Sequence, residues 1–217
     1  MGLFLKTGAG RRLRKYRIHI NDRILQLGLP GNLARDLPHS NILGEIDLNN
    51  ASSYDKNDNI KITYLMWDYC WPVWKNLGDR VGFLDFSLYI KKYPVETPCG
   101  TLEEVEELLR YHFKRRYPEG NEWEETPPSD YQVVNINGRD WLQIFWPGKN
   151  SMTGNEFIYY LPLNNQHLLH FRFKVGFGEK AKRIGKKYYE QALNDMERIR
   201  DSVKLIEPVG GKDQLRA

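Results

Sequence analysis

Apolar and polar residues alternate in short runs through most of the chain, and only two stretches carry the wider spacing of a helix. Residues 16–20 alternate and residues 23–29 follow, with Asn21-Asp22 as a two-residue turn, which predicts a hairpin ended by Pro30-Gly31-Asn32. Residues 31–58 are rich in Asn, Asp, Ser, Gly and Pro and read as a long loop. In the strand expected over residues 60–67, a period of two puts Ile60, Ile62, Tyr64 and Met66 on the buried face. After Gly82, Leu84, Phe86, Leu88 and Ile90 point one way and Phe83, Asp85, Ser87 and Tyr89 the other, as in an antiparallel sheet with one wetter face.

Thr101-Leu102-Glu103-Glu104 has the spacing of a capping box and opens the first helix. Leu102, Val105, Leu108, Leu109, His112 and Phe113 form its inward stripe. Acids at its start and Arg110, Lys114, Arg115 and Arg116 at its end complement the helix dipole. Residues 118–130, with Pro118, Pro127 and Pro128, make a connector. Asn137-Gly138 then sets a hairpin that pairs Val133 with Leu142, Tyr131 with Ile144 and Val134 with Trp141. A second turn at Asn164-Asn165 would place Ile158 opposite Phe171, Tyr160 opposite Leu169 and Tyr159 opposite His170. Gly176 and Gly178 break the last strand, and residues 179–203 form the longer helix, with Ile184, Tyr188, Ala192, Met196, Ile199 and Val203 inward.

This order has no βαβ alternation and predicts an α+β fold, an antiparallel sheet of about six to eight strands flanked by two main helices. The expected organisation is a basic arm over residues 1–15, one domain over 16–206 and a tail over 207–217. With 217 residues, 41% hydrophobic and 13% aromatic, the chain has ample material for one core. No stretch approaches the ~20 apolar residues of a membrane-spanning helix, and the N-terminus lacks the order of a secretory signal, so the expected location is cytoplasmic. Cys70 and Cys99 read as reduced thiols.

Residues 1–17 hold Lys6, Arg11, Arg12, Arg14, Lys15 and Arg17 and no acid, so they carry a charge of +6 and the rest of the chain −2. The basicity thus belongs to the arm, which is either a solvated terminus or an electrostatic contact with nucleic acid, anionic lipid or an acidic partner through Arg11, Arg12, Arg14 and Lys15. Phosphate-loop, dinucleotide, nucleophile-elbow and zinc-protease motifs are all missing, as is Cys-x-x-Cys. His167 and His170 are three apart on an expected strand and face opposite ways, so neither a metal site nor a cofactor is expected.

Two groups of residues suggest recognition. Between Tyr64 and Trp74 the chain packs five large aromatics into eleven residues. Tyr64 fits the buried face, which leaves Trp67, Tyr69, Trp71 and Trp74 either as a contact surface beside a turn or as a second hydrophobic cluster under the long loop. The outward face of the last hairpin carries Tyr159, His170, Arg172 and Lys174, where a Tyr–His pair beside an Arg would hold an anion or do acid–base work, unless it is ordinary cross-strand pairing.

The two C-terminal hairpins feed a helix that ends Ile199-x-x-Ser202-x-Lys204-Leu205, and the opening hairpin runs into Leu29-Pro30-Gly31-Asn32. In this order of elements the chain resembles the PsbP-like α/β/α fold of the photosystem-II extrinsic protein and bacterial relatives that include secretion-effector chaperones. The likeness covers most of the chain, which is longer through residues 31–58 and 118–130, and it carries over no functional residue. It implies a non-enzymatic binding module. The expected function is therefore a non-catalytic protein-binding module of the immunity-protein, chaperone or adaptor kind, whose partner is another protein. The alternative is a small-ligand or carbohydrate-binding protein, or an enzyme without a familiar motif.

Overall fold

The computed structural model describes residues 9, 12–31, 42–70, 80–118, 128–148, 154–177 and 185–208. Among them are two α-helices and two sheets, so the chain is mostly sheet and the single sheet expected is in fact divided. The larger sheet is antiparallel and has six strands in the order β4-β5-β9-β8-β7-β6. These strands are β4 (Asn59–Cys70), β5 (Arg80–Lys92), β6 (Asp130–Ile136), β7 (Arg139–Trp146), β8 (Asn155–Pro162) and β9 (His167–Phe177). The smaller sheet is mixed, in the order β10-β2-β1-β3. It joins the hairpin β1 (Leu13–Ile20) and β2 (Arg23–Pro30) to the short strands β3 (Glu45–Ile46) and β10 (Lys204–Ile206). Neither short strand was expected. β3 lies inside the long loop, whose residues 32–41 are outside the described set, and pairs parallel to β1.

The two sheets share one core. Ile18, Ile20, Leu25, Leu27 and Leu29 of the small sheet cluster with Leu84, Phe86, Leu88, Ile90, Leu169, Phe171, Phe173 and Val175 of the large one. Helix α2 (Gly185–Arg200) packs on β5 and β9 and adds Tyr188, Ala192, Met196 and Ile199, as its expected stripe required. Ile184 and Gly178 lie outside the described residues, and the helix expected from residue 179 is described from Gly185. Gly176 does not break β9, because it pairs with Phe83 and the strand runs on to Phe177. At the far end of α2, the Ser202 hydroxyl accepts from Gly28 N at 2.7 Å and donates to Ile199 O at 2.6 Å, which ties the helix end to β2. Midway, the Tyr69 hydroxyl donates to buried Asp195 at 2.8 Å and Arg198 pairs with the same carboxylate at 2.7 Å. Burial still raises the Asp195 carboxyl above its usual range.

Helix α1 (Leu102–Arg116) lies on the opposite face of the large sheet, over β7 and β8. Val105, Leu108 and Leu109 bury against Leu142, Ile144, Ile158, Tyr160 and Leu168. The capping box forms as expected, with Thr101 Oγ1 accepting from Glu104 N at 3.2 Å and the Glu104 carboxylate accepting from Thr101 N at 3.0 Å. Thr101→Ala is expected to cost about 1 kcal/mol, read as a shift in the urea midpoint.

Two local events decide which residues face which way. The register of β4 on β5 shifts between Lys61 and Thr63, so one extra residue is accommodated there as a β-bulge. Beyond it the alternation is inverted: Leu65, Trp67 and Tyr69 enter the core, while Tyr64 and Met66 turn to the other face. In the β8–β9 hairpin, Asn164 Oδ1 accepts from Gln166 N and His167 N, both at 2.9 Å. Leu163 N donates to His167 O, and the loop takes three residues instead of two. The register slips by one, which exchanges the faces of a whole strand relative to its partner. Tyr160, not Tyr159, therefore stands opposite His170, and Tyr159 stands opposite Phe171. The Asn137-Gly138 hairpin has the expected register, with φ of 52° and 81° at its two turn residues.

Candidate functional site

The large sheet is covered unevenly on the α1 face. The helix sits over β7 and β8, and a groove of about 590 Å³ runs between its second half and the end of β5. Lys91, Tyr93, Leu109, His112, Phe113, Arg115 and Arg116 line it.

Local structure holds both walls in place. Tyr93 N donates to Gln166 O at 2.7 Å and Cys99 N to Asn165 O at 3.0 Å, so the segment between β5 and α1 is bound to the β8–β9 loop. Gly100 packs against the same loop, with the Asn165 side-chain oxygen in the space a Cβ would take. Cys99 is buried below it, and burial followed by the nearby Glu104 carboxylate pushes its thiol up to about 11, so it stays protonated. At the other end, Phe113 and Tyr117 meet the Trp146 ring edge-on at 5.3 and 5.1 Å and fix the last turn of α1 over the sheet.

The groove joins cations to an aromatic wall. Lys91 Nζ lies 5.8 Å from the centre of the Tyr93 ring, and His112 lies 6.1 Å from the same ring. Burial, then the charges of Lys91 and Arg115, lower the His112 pKa, while burial raises the Tyr93 hydroxyl to about 12. Both groups are thus neutral at pH 7, and Lys91, Arg115 and Arg116 supply the positive charge. No acid is among the lining residues. The chemistry this offers is anion binding: guanidinium groups pair with carboxylates in fork geometry, and the rings beside them take apolar or aromatic atoms.

A polar row continues from the groove across β5, β9 and β8. The Tyr89 ring lies 5.3 Å from His170 in a tilted pair, and the Tyr160 ring meets the same imidazole edge-on at 5.4 Å. Burial, then Arg172 and Lys91, lower the His170 imidazole to about 4. Arg172 and Lys174 both reach Glu156, at 3.6 and 3.2 Å, so one carboxylate offsets part of the positive charge at this end of the face.

The residues singled out from the sequence do not form one site. Trp67 and Tyr69 are core residues, each 1% exposed, and offer no surface to a partner. Trp71 and Trp74 lie outside the described residues. Tyr159 is likewise buried, stacked at 4.7 Å on Phe171 on the α2 side, and so is separated from His170 and Arg172, which share the α1 face. Of the basic arm, Arg14 and Lys15 are exposed residues of β1, Arg12 precedes it and is exposed, and Arg11 is outside the described residues. Ala9 is buried in the core and hydrogen-bonds through its backbone to Asp195.

The groove residues were visible in the sequence only in other roles: His112 as part of the apolar stripe, Arg115 and Arg116 as partners of the helix dipole. A histidine within an apolar stripe that ends in consecutive arginines was the available signal, but Lys91 and Tyr93 come from a strand end that only the fold brings alongside. Among the described residues no cluster of His, Cys, Asp and Glu could hold a metal ion, and no helix is long and apolar enough to cross a membrane. No protein-family model matches the chain, and no match is found among curated proteins.

Proposed function

We propose that the chain is a non-catalytic binding module whose groove beside α1 takes an acidic segment of a partner protein. The observation that carries this reading is the convergence of Lys91, Arg115 and Arg116 on a wall of Tyr93, Phe113 and Leu109 with no acid among the lining residues. Charge attracts and orients the segment, and the apolar wall gives area to the side chains between its acids. The groove lies open along the helix, which suits an extended segment better than an enclosed ligand. An immunity protein, an effector chaperone or an adaptor would each use such a surface. The resemblance in element order to PsbP-like binding modules points the same way.

Fluorescence anisotropy with a labelled peptide that alternates Glu with Trp or Phe tests the reading. Binding is expected to weaken as salt rises, and Arg115→Glu with Arg116→Glu should weaken it at least tenfold, about 1.4 kcal/mol. A peptide that binds the double variant as well as the wild type, or that binds neither, overturns the assignment. The volume of about 590 Å³ also suits a small anionic ligand with an aromatic ring. In that case a screen of aromatic carboxylates and phosphates would raise the melting temperature of the wild type and leave the double variant unmoved.

A further inference from the structure

Strand β6 closes one side of the large sheet, and its outer edge has no partner strand among the described residues. The other edges carry features that discourage pairing. β4 has its bulge, Lys61, and a bond from Leu43 N to Ile62 O, while β3 and β10 are two and three residues long. β6 has none of these. It pairs with β7 without a register shift, holds neither Lys nor Pro, and leaves Val133 60% exposed. From these observations we propose that β6 pairs antiparallel with β6 of a second copy, so that two six-stranded sheets become one.

The hairpin turn decides which backbone groups are available. A turn with positive φ at both Asn137 and Gly138 joins its flanking residues Ile136 and Arg139 by a hydrogen-bonded pair. Bonded and non-bonded pairs then alternate along the ladder, so the N–H and C=O groups of Tyr131, Val133 and Asn135 point away from β7. A two-fold axis at Val133 sets Val133 opposite its own copy and Tyr131 opposite Asn135, and every outward group gains a partner. Residues 131–135 carry no charge, so the pairing opposes no like charges.

Helix α1 adds a second complementarity. Arg110 stacks over Tyr131 of β6 at 4.0 Å, so the side of α1 that bears Glu103, Glu106, Arg110 and Lys114 is turned toward this edge. The two-fold axis reverses the second helix, and the acidic start of each faces the basic end of the other. A strand from an unrelated protein would bring no such match, which is why a second copy is the occupant.

Sedimentation velocity of the whole chain from about 1 µM to about 100 µM tests the proposal, a range that spans weak strand-mediated association. The wild type is expected to pass from monomer to dimer. Val133→Lys, which places a charge opposite its own copy, should remain monomeric with an unchanged circular dichroism spectrum. Tyr111→Lys alters a residue 61% exposed elsewhere on α1 and should dimerise like the wild type. A wild type that is monomeric throughout, or a Val133→Lys protein that still dimerises, overturns the proposal. The groove plays no part in this contact, so loss of peptide binding in the Arg115/Arg116 variant is a separate result.

Discussion

Trp67→Ala is expected to destabilise the protein by about 3–5 kcal/mol, the range for removing a fully buried aromatic side chain, and to lower the melting temperature by about 10 °C. Trp67 is 1% exposed and belongs to the core that the two sheets and α2 build together. Its neighbours on β4 that face inward, Leu65 and Tyr69, are large and held by strand pairing, so the space left by the indole would not close. Tyr64→Ala, on the same strand but on the half-buried α1 face, should cost distinctly less. Urea titrations of the three proteins decide the matter. A loss below about 1 kcal/mol for Trp67→Ala would return this residue to the surface.

The second large effect is a loss of stability in acid that passes through His170. Burial first, with Arg172 and Lys91 adding to it, holds the folded imidazole at about 4, against 6.5 for the ordinary group. Between those values the unfolded chain takes up a proton that the folded chain refuses. The stabilisation is complete above pH 6.5 and disappears as pH falls toward 4, a change on the order of 3 kcal/mol. His170→Phe keeps a ring between Tyr89 and Tyr160 and has nothing to protonate. Unfolding free energies measured at about pH 7.5 and at about pH 4.5 should therefore fall less for the variant than for the wild type. His112 and His167, also lowered by burial, contribute in the same direction to both proteins. Equal losses would show that His170 is protonated in the folded state.

The β6–β7 hairpin was legible in full because its register is dictated inside the turn, where Asn137 and Gly138 meet a backbone requirement that few residues satisfy. The capped start of α1 was legible for the same reason: Thr101 and Glu104 bond to each other's backbone within one turn. The misplaced residues share a different cause. Alternation shows that a strand has two faces, but a single added residue exchanges them, and hydropathy does not mark where that residue goes. At the β8–β9 loop it depends on the side chain of Asn164, and in β4 on a bulge at residue 62, beyond which Tyr64, Leu65, Met66 and Trp67 would suit either face. Those two positions put Tyr159 in the core instead of on the outward face, and decide for Trp67 and Tyr69 between the two readings left open, contact surface or hydrophobic cluster, in favour of burial. The groove was beyond reach for a further reason, since Lys91 and Arg115 meet only after α1 has docked across strands that come later in the chain.

The small sheet has a consequence for synthesis. β1 and β2 leave the ribosome before every other strand described, yet β2 is completed by β10, and Gly28 is bonded to Ser202, 174 residues further on. At ~5–20 residues per second the hairpin waits roughly 10–35 s for that partner. During the wait Leu25, Leu27 and Leu29 have neither α2 nor the large sheet to cover them, and the flank of β2 that receives β10 is unpaired. The nascent hairpin is thus adhesive until that partner arrives. A holding chaperone that engages residues 13–30 would have to let go only after the last strand has emerged.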